Sequence, residues 1–266
     1  MASTQYTDRV IAGMQMLYGD GFLSPGGPSE MAVFLEGADL SGCRVLDLGC
    51  GIGGAAVMLA EAFGAAHVTG VDIADDLIPR AQVRAREHGL SDRTTFLAVA
   101  PGRLPFDDGA FDVVFIKDVV SHVADKTAQF RELARVLAPG GRLFCAEFLI
   151  GDLKGEKRAI YDAWIESMRL YGLTFEFEPF EAYVSAYAAA GLVDVVLRDH
   201  TALSAEAARR ELAFAKGPDA GPVREALGAE KFAARLHAST MRQAALESRS
   251  FLHVHMYARK PAAVEG

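Results

Sequence analysis

The sequence predicts a doubly wound α/β fold, with helices covering both faces of a seven-stranded, mostly parallel sheet. Three observations predict it. Short apolar runs alternate with longer stretches of helical periodicity from about residue 44 to residue 149, which is the pattern of successive βαβ units. The first apolar run, Val45-Leu46-Asp47-Leu48, leads straight into the glycine turn Gly49-Cys50-Gly51-Ile52-Gly53-Gly54. The second run, Val68-Thr69-Gly70-Val71, ends on an acid, Asp72. Strand, glycine turn, helix and terminal acid describe a nucleoside-binding half of a Rossmann-like sheet.

Residues 1–18 read as a helical arm, with Ile11, Met14, Leu17 and Tyr18 at helical spacing. The glycine- and proline-rich stretch 19–28 reads as turns. Strands are predicted at 44–48, 68–72, 94–98, 112–117 and 142–149. Helices are predicted at 52–63, 77–88 and 126–137. Beyond them, 152–171 reads as a helix with Ile160, Trp164, Met168 and Tyr171 along one face. A second helix follows at 180–190, then a sixth strand at 192–199. The stretch 203–247 is mostly helical, broken at Gly217-Pro218 and Gly221-Pro222, and a seventh strand covers 250–259. The chain therefore reads as one domain over 1–266. It has an arm or lid at 1–28, a cofactor-binding core at 40–150 and two helical insertions, 151–191 and 203–247. The insertions are expected to cap the carboxyl edge of the sheet, where ligands bind in open α/β folds.

Gly49, Gly51 and Gly54 satisfy the dinucleotide pattern, but Asp47 separates the possible cofactors. A carboxylate two residues before the turn repels a pyrophosphate, which needs helix N-termini and free N–H groups. S-adenosylmethionine (SAM) has no phosphate and carries an ammonium and a sulfonium. Asp72 is placed to accept hydrogen bonds from two ribose hydroxyls. Methyl transfer then needs a nucleophile with a free lone pair, and an amine must first lose a proton. Asp118 and His122, at the end of the fourth strand, are the candidates. They are four residues apart and share a face if a helix follows.

Bulk properties narrow the classes further. At 266 residues and 51% hydrophobic composition, the chain has length and apolar content for a large core. Its net charge of −8 argues against gripping nucleic acid by phosphate neutralisation. No apolar run reaches membrane-spanning length. Cys43, Cys50 and Cys145 are too few and scattered for a disulfide framework or a cysteine zinc site, so a cytoplasmic setting is expected and no residue is assigned to a metal. The expected partner is a small-molecule substrate, with the oligomeric state open.

The sequence resembles the class I SAM-dependent methyltransferases over nearly its whole length. Leu46-Asp47-Leu48-Gly49-Cys50-Gly51 is similar to their first motif and Val71-Asp72-Ile73 to their ribose-binding acid. Leu104-Pro105-Phe106 with Phe111-Asp112-Val113-Val114, and Leu137-Ala138-Pro139-Gly140-Gly141-Arg142-Leu143, follow in the family's order. Within this class, Gln5-Tyr6-Thr7, the stretch from Tyr18 to Gly27, and Lys117-Asp118 with His122 resemble the phosphoethanolamine N-methyltransferases. The resemblance implies that Tyr6 closes over the site and pairs with His122, that Asp118 binds the substrate amine, and that Ser24 contacts SAM. It places Asp47, Gly49, Cys50, Gly51, Asp72, Ile73, Ala100 and Lys117 on the cofactor side, with Ala100 standing where the family has an acid near the adenine. Phe148, Leu173 and Phe175 stand where the family holds phosphate with tyrosine and arginine, and Arg242 remains as the one matching cation. The acceptor pocket is therefore expected to be apolar, and phosphoethanolamine is not the expected substrate.

Methylation of an amine in a partly apolar, non-phosphorylated small molecule is the favoured expectation. Carbon or oxygen methylation of an aromatic or terpenoid metabolite is the alternative within the class. A non-catalytic SAM-binding regulator is opposed by the intact base candidates, and an NAD-dependent oxidoreductase by Asp47.

Overall fold

The structure is a computed structural model, which describes residues 6–170 and 174–263. The arm is α1 (Asp8–Tyr18), capped by Thr7, whose hydroxyl accepts from the Val10 N–H. The next element, α2 (Gly27–Phe34), begins on the last two residues of the stretch expected to be turns and runs on into residues for which no element was expected. Pro28 at its first turn is a helix-start signal, and Met31 and Phe34 are buried, each burial contributing roughly 1.5–3 kcal/mol.

The core alternates as expected. It runs β1 (Arg44–Leu48), α3 (Gly54–Glu61), β2 (His67–Asp72), α4 (Ile78–Glu87), β3 (Thr94–Ala98), β4 (Phe111–Lys117), α5 (Lys126–Val136) and β5 (Leu137–Ile150). Then come α6 (Glu156–Leu170), α7 (Phe180–Ala189), β6 (Val193–Asp199), α8 (Thr201–Lys216), α9 (Gly221–Leu227), α10 (Ala229–Glu247) and β7 (Phe251–Arg259). The sheet order is β3-β2-β1-β4-β5-β7-β6. The first five strands pair in parallel, and β7 runs antiparallel between β5 and β6.

Period-two alternation along the strands divides the core. Val45, Val68, Val113 and Phe115 face the layer of α1 to α4. Leu46, Val71, Val114 and Ile116 face α5 and α7. Strands covered on both faces read as continuous apolar runs, which is why β1 and β4 stood out. A third cluster joins Phe148 and Phe251 to Tyr161 and Trp164 of α6, Ala205 and Ala208 of α8 and Ala245 and Leu246 of α10. The cluster lies at the carboxyl end of β5 and the start of β7. Of the first insertion, α6 joins this cluster. The other helix, α7, packs on the sheet instead, with the Tyr187 ring 4.4 Å from Phe130 of α5. The arm packs against α9 and is tied to α4, where Arg84 bonds Asp20 (2.6 Å) and Gln15 (2.8 Å).

Candidate active site

The glycine turn is built by its backbone. Gly49 has φ of 74°, and a Cβ there would overlap Val119, so only glycine fits. The Gly49 and Cys50 amides donate to the Val71 carbonyl (2.7 and 3.0 Å). Asp72 receives the Gly51 amide on one carboxylate oxygen (2.8 Å) and the Ala74 amide on the other (2.9 Å). Each oxygen keeps a second lone pair for a ligand hydroxyl. Asp47 is 2% exposed, and its Oδ2 has no hydrogen-bond partner among the described residues. Burial, helped by the Asp72 charge, pushes it up to about 7. Burial first, then the Asp47 and Asp72 charges, raises the Cys50 thiol, which therefore stays protonated.

Beyond the turn, the end of β4 gathers charge. Lys117 is buried and donates to Ser24 Oγ (3.0 Å) and the Pro25 carbonyl (2.7 Å). It also pairs with Glu30 (3.1 Å) and with Asp118. Burial opposes its charge, but the Asp118 and Glu30 carboxylates raise it above the ordinary lysine value. Asp118 has φ of 57°, a conformation uncommon outside glycine, asparagine and aspartate. Its Oδ1 is buried without a partner among the described residues. No α-helix follows it; a 3₁₀ turn, Val120–His122, carries the histidine. Glu147 on β5 holds this turn, accepting from the Val119 amide (2.6 Å) and the Val120 amide. Burial first, then the Asp118 charge, pushes Glu147 up to about 8. Burial lowers His122, against a backbone hydrogen bond with Thr174 and the Asp118 charge, so its neutral, proton-accepting form is favoured.

One cavity of about 1040 Å³ runs past the glycine turn, Asp72 and the end of β4. Every site residue expected from the sequence lines it: Tyr6, Ser24, Asp47, Gly49, Cys50, Gly51, Asp72, Ile73, Ala100, Lys117, Asp118, His122, Phe148, Phe175 and Arg242. Leu173 and Tyr171 lie outside the described residues. The cavity is at the upper end of the roughly 300–1,000 Å³ range for ligand pockets. The two carboxylates Asp47 and Asp72 would repel a pyrophosphate and fit the ammonium and ribose hydroxyls of SAM.

Tyr6 and His122 line the same cavity and have different neighbours. Tyr6 packs with Ile11, Ile52 and Leu77 at the Asp72 end, and its phenol is raised by burial, then by Asp72 and Asp76. The His122 ring lies 4.7 Å from that of Phe175. Arg242 also needs correction as a lone free cation. Its guanidinium pairs with Glu211, and a second guanidinium, Arg235, lines the same cavity. Burial and the Arg242 charge push Arg235 down to about 9.

Several residues were not anticipated. Trp164, Phe177 and Phe251 line the cavity with Phe148 and Phe175. The Phe148 and Phe251 rings stack at 4.9 Å, Trp164 lies 4.0 Å from Phe251, and Phe175 and Phe177 stack at 4.8 Å. These rings come from four separate stretches of chain, so no local pattern marked them. Glu147 did carry a signal, as a lone charge inside an apolar strand. Glu30 was also missed. It meets the His253 and His255 Nε2 atoms at 3.0 and 3.2 Å.

Residues 45–141 match the family model described as a methyltransferase domain. The chain is 32% identical over 211 residues to phosphoethanolamine N-methyltransferase 1 of Arabidopsis thaliana, an alignment covering 79% of this chain and 41% of that protein. It is 33% identical over 165 residues to methyltransferase GfsG of Streptomyces halstedii, covering 62% of this chain and 58% of that one. The chain thus spans about two fifths of the length of the plant relative. Among solved structures, phosphoethanolamine N-methyltransferase 2 of Haemonchus contortus, in complex with phosphomonomethylethanolamine and S-adenosylhomocysteine, superposes with a TM-score of 0.84 at 24% identity. That superposition covers 97% of this chain and 59% of the other and speaks to the fold.

Proposed function

We propose, from the premise that this chain carries a class I SAM-dependent methyltransferase domain, that it methylates a small molecule at an amine nitrogen in a partly apolar, non-phosphorylated substrate. The observation that carries this reading is the juxtaposition, in one cavity, of Asp118 and His122 with the aromatic wall of Phe148, Trp164, Phe175, Phe177 and Phe251. SAM supplies a methyl group on a sulfonium, a good leaving group.

The residues divide the work. Asp72 receives the ribose hydroxyls, Asp47 faces the ammonium, and the glycine turn lets the backbone approach. Asp118 holds the acceptor amine by a charge-assisted hydrogen bond. His122, neutral by burial, accepts the proton that the amine must lose. The aromatic wall excludes water and holds the acceptor in line, and such positioning supplies much of the rate in a displacement of this kind. Tyr6 closes the cofactor end. Phe148 and Phe175 offer a phosphate dianion no donor, and burying it against them costs several kcal/mol; Arg242 is already engaged by Glu211, and Arg235 on the same cavity suits a singly charged anion better than a dianion.

The aromatic wall also favours a second reading, in which His122 deprotonates an enol or phenol and the methyl goes to carbon or oxygen of an aromatic or terpenoid metabolite. Incubation with methyl-labelled SAM and three panels (apolar amines, phenols and enols, and phosphoethanolamine) separates the readings. Label is expected in an apolar amine. Robust methylation of phosphoethanolamine at micromolar concentration refutes the substrate assignment, and NAD binding without SAM binding by calorimetry refutes the cofactor.

A further inference from the structure

We propose that Glu30, His253 and His255 form a binding site for one divalent transition-metal ion, one layer behind the acceptor end of the cavity. Their ligand atoms all lie within 4.8 Å of one another, and all three residues are buried. His253 and His255 stand two apart on β7, which puts both imidazoles on one face of the strand. Both Nε2 atoms approach the same oxygen, Glu30 Oε1, at 3.0 and 3.2 Å. Metal-to-ligand distances of about 2.0–2.2 Å place the ligand atoms of one ion roughly 3–3.6 Å apart. The other carboxylate oxygen, Oε2, faces Lys117 at 3.1 Å. One oxygen is therefore left for an ion while the other is held by an ammonium, a supporting contact of the kind that orients metal-bound carboxylates.

The surroundings support an ion as well. His253 Nδ1 lies 2.6 Å from Ser204 Oγ. In the tautomer in which Nδ1–H donates to that hydroxyl, Nε2 turns its lone pair toward Glu30 Oε1, and a shared proton or a metal ion makes that approach favourable. Among the described residues, His253 Nε2 has no well-aligned hydrogen bond despite its 3.0 Å approach. Buried Glu30 and largely buried Asp118 set two carboxylates against the single ammonium of Lys117, and the counter-charge this calls for can come from a protonated imidazole or from a metal ion. Two imidazoles and one carboxylate suit Zn²⁺, Co²⁺, Ni²⁺ or Fe²⁺, whereas Mg²⁺ and Ca²⁺ prefer oxygen ligands throughout. A bound ion would fix α2 to β7 and, through Lys117, hold the Ser24 loop.

The test is a titration of chelator-treated full-length protein with Co²⁺, followed by visible absorption and by metal analysis after gel filtration. A parallel sample is refolded from urea with Co²⁺ present, because a closed site loads most readily during folding. One ion per chain, with visible bands that Zn²⁺ displaces, is expected. Ser204→Ala should weaken binding about 10–100-fold, and Glu30→Gln or the double variant His253→Gln/His255→Gln should abolish the bands. Folded wild-type protein that holds no Co²⁺ in either preparation overturns the proposal, even where a variant fails to fold. Unchanged stoichiometry in the double variant overturns it too, since the ion would then lie elsewhere.

Discussion

Replacing Asp47 with asparagine should make the ligand-free protein more stable at pH 8 while weakening its hold on SAM. The carboxyl is 2% exposed and one of its oxygens has no hydrogen-bond partner among the described residues. Burial, then the Asp72 charge, raises it from an ordinary 3.8 to about 7. The native state thus holds this proton more tightly than the unfolded chain does. Stability from this group is full below about pH 4 and is lost as pH rises through 7. At about 1.4 kcal/mol for each tenfold change, the loss amounts to about 4 kcal/mol by pH 8. The asparagine side chain carries no charge and escapes it. Urea denaturation of both proteins across pH 4 to 8, without SAM, should show a gap that opens in favour of the variant as pH rises. Comparing the two cancels the parallel titration of Glu147, which rises to about 8 from burial and the Asp118 charge. Calorimetry should show the reverse order for SAM, whose ammonium favours the ionised carboxylate. Wild-type affinity should increase from pH 6 to pH 8 with proton release, and the variant should lose that pH dependence. A stability gap that stays constant with pH, or wild-type affinity that falls as pH rises, would refute the reasoning.

Tyr6→Phe should change kcat and the Kd for SAM by no more than about threefold, because the ring, which packs with Ile11, Ile52 and Leu77, is kept and the proton passes to His122; a kcat that falls about tenfold or more with SAM binding intact would put the hydroxyl in the proton transfer instead. Gly49→Ala should destabilise the fold by about 1–3 kcal/mol through its positive φ alone, with more from the overlap with Val119; an unchanged urea midpoint would contradict this. Glu147→Gln should be nearly silent at pH 7, where burial keeps the acid protonated. Glu147→Ala, which strips the acceptor from the Val119 and Val120 amides, should cost about 1–3 kcal/mol and slow turnover through misplacement of Asp118 and His122. Equal thermal shifts for the two variants would rule out this role.

Periodicity and turn chemistry by themselves determined the alternation of strands and helices from β1 to β5, because each such element is a local pattern of buried and exposed positions. They also determined where Asp47, Asp72 and Asp118 stand, since an acid at the end of an apolar run lies at the sheet's carboxyl edge whatever the rest of the chain does. The helix α2 was hidden by glycine and proline at its start, which signal a turn and a helix N-terminus alike. Only the tertiary structure decided that α7 packs against α5 and the sheet, that Arg242 meets Glu211, and that Tyr6 packs with Ile11, Ile52 and Leu77. It alone brought Glu30 to His253 and His255 across more than 220 residues of chain, and assembled the aromatic wall from β5, α6, the segment before α7, and β7. Contacts of that kind depend on how layers stack, and a side chain's partner across a layer leaves no mark in the spacing of its own neighbours.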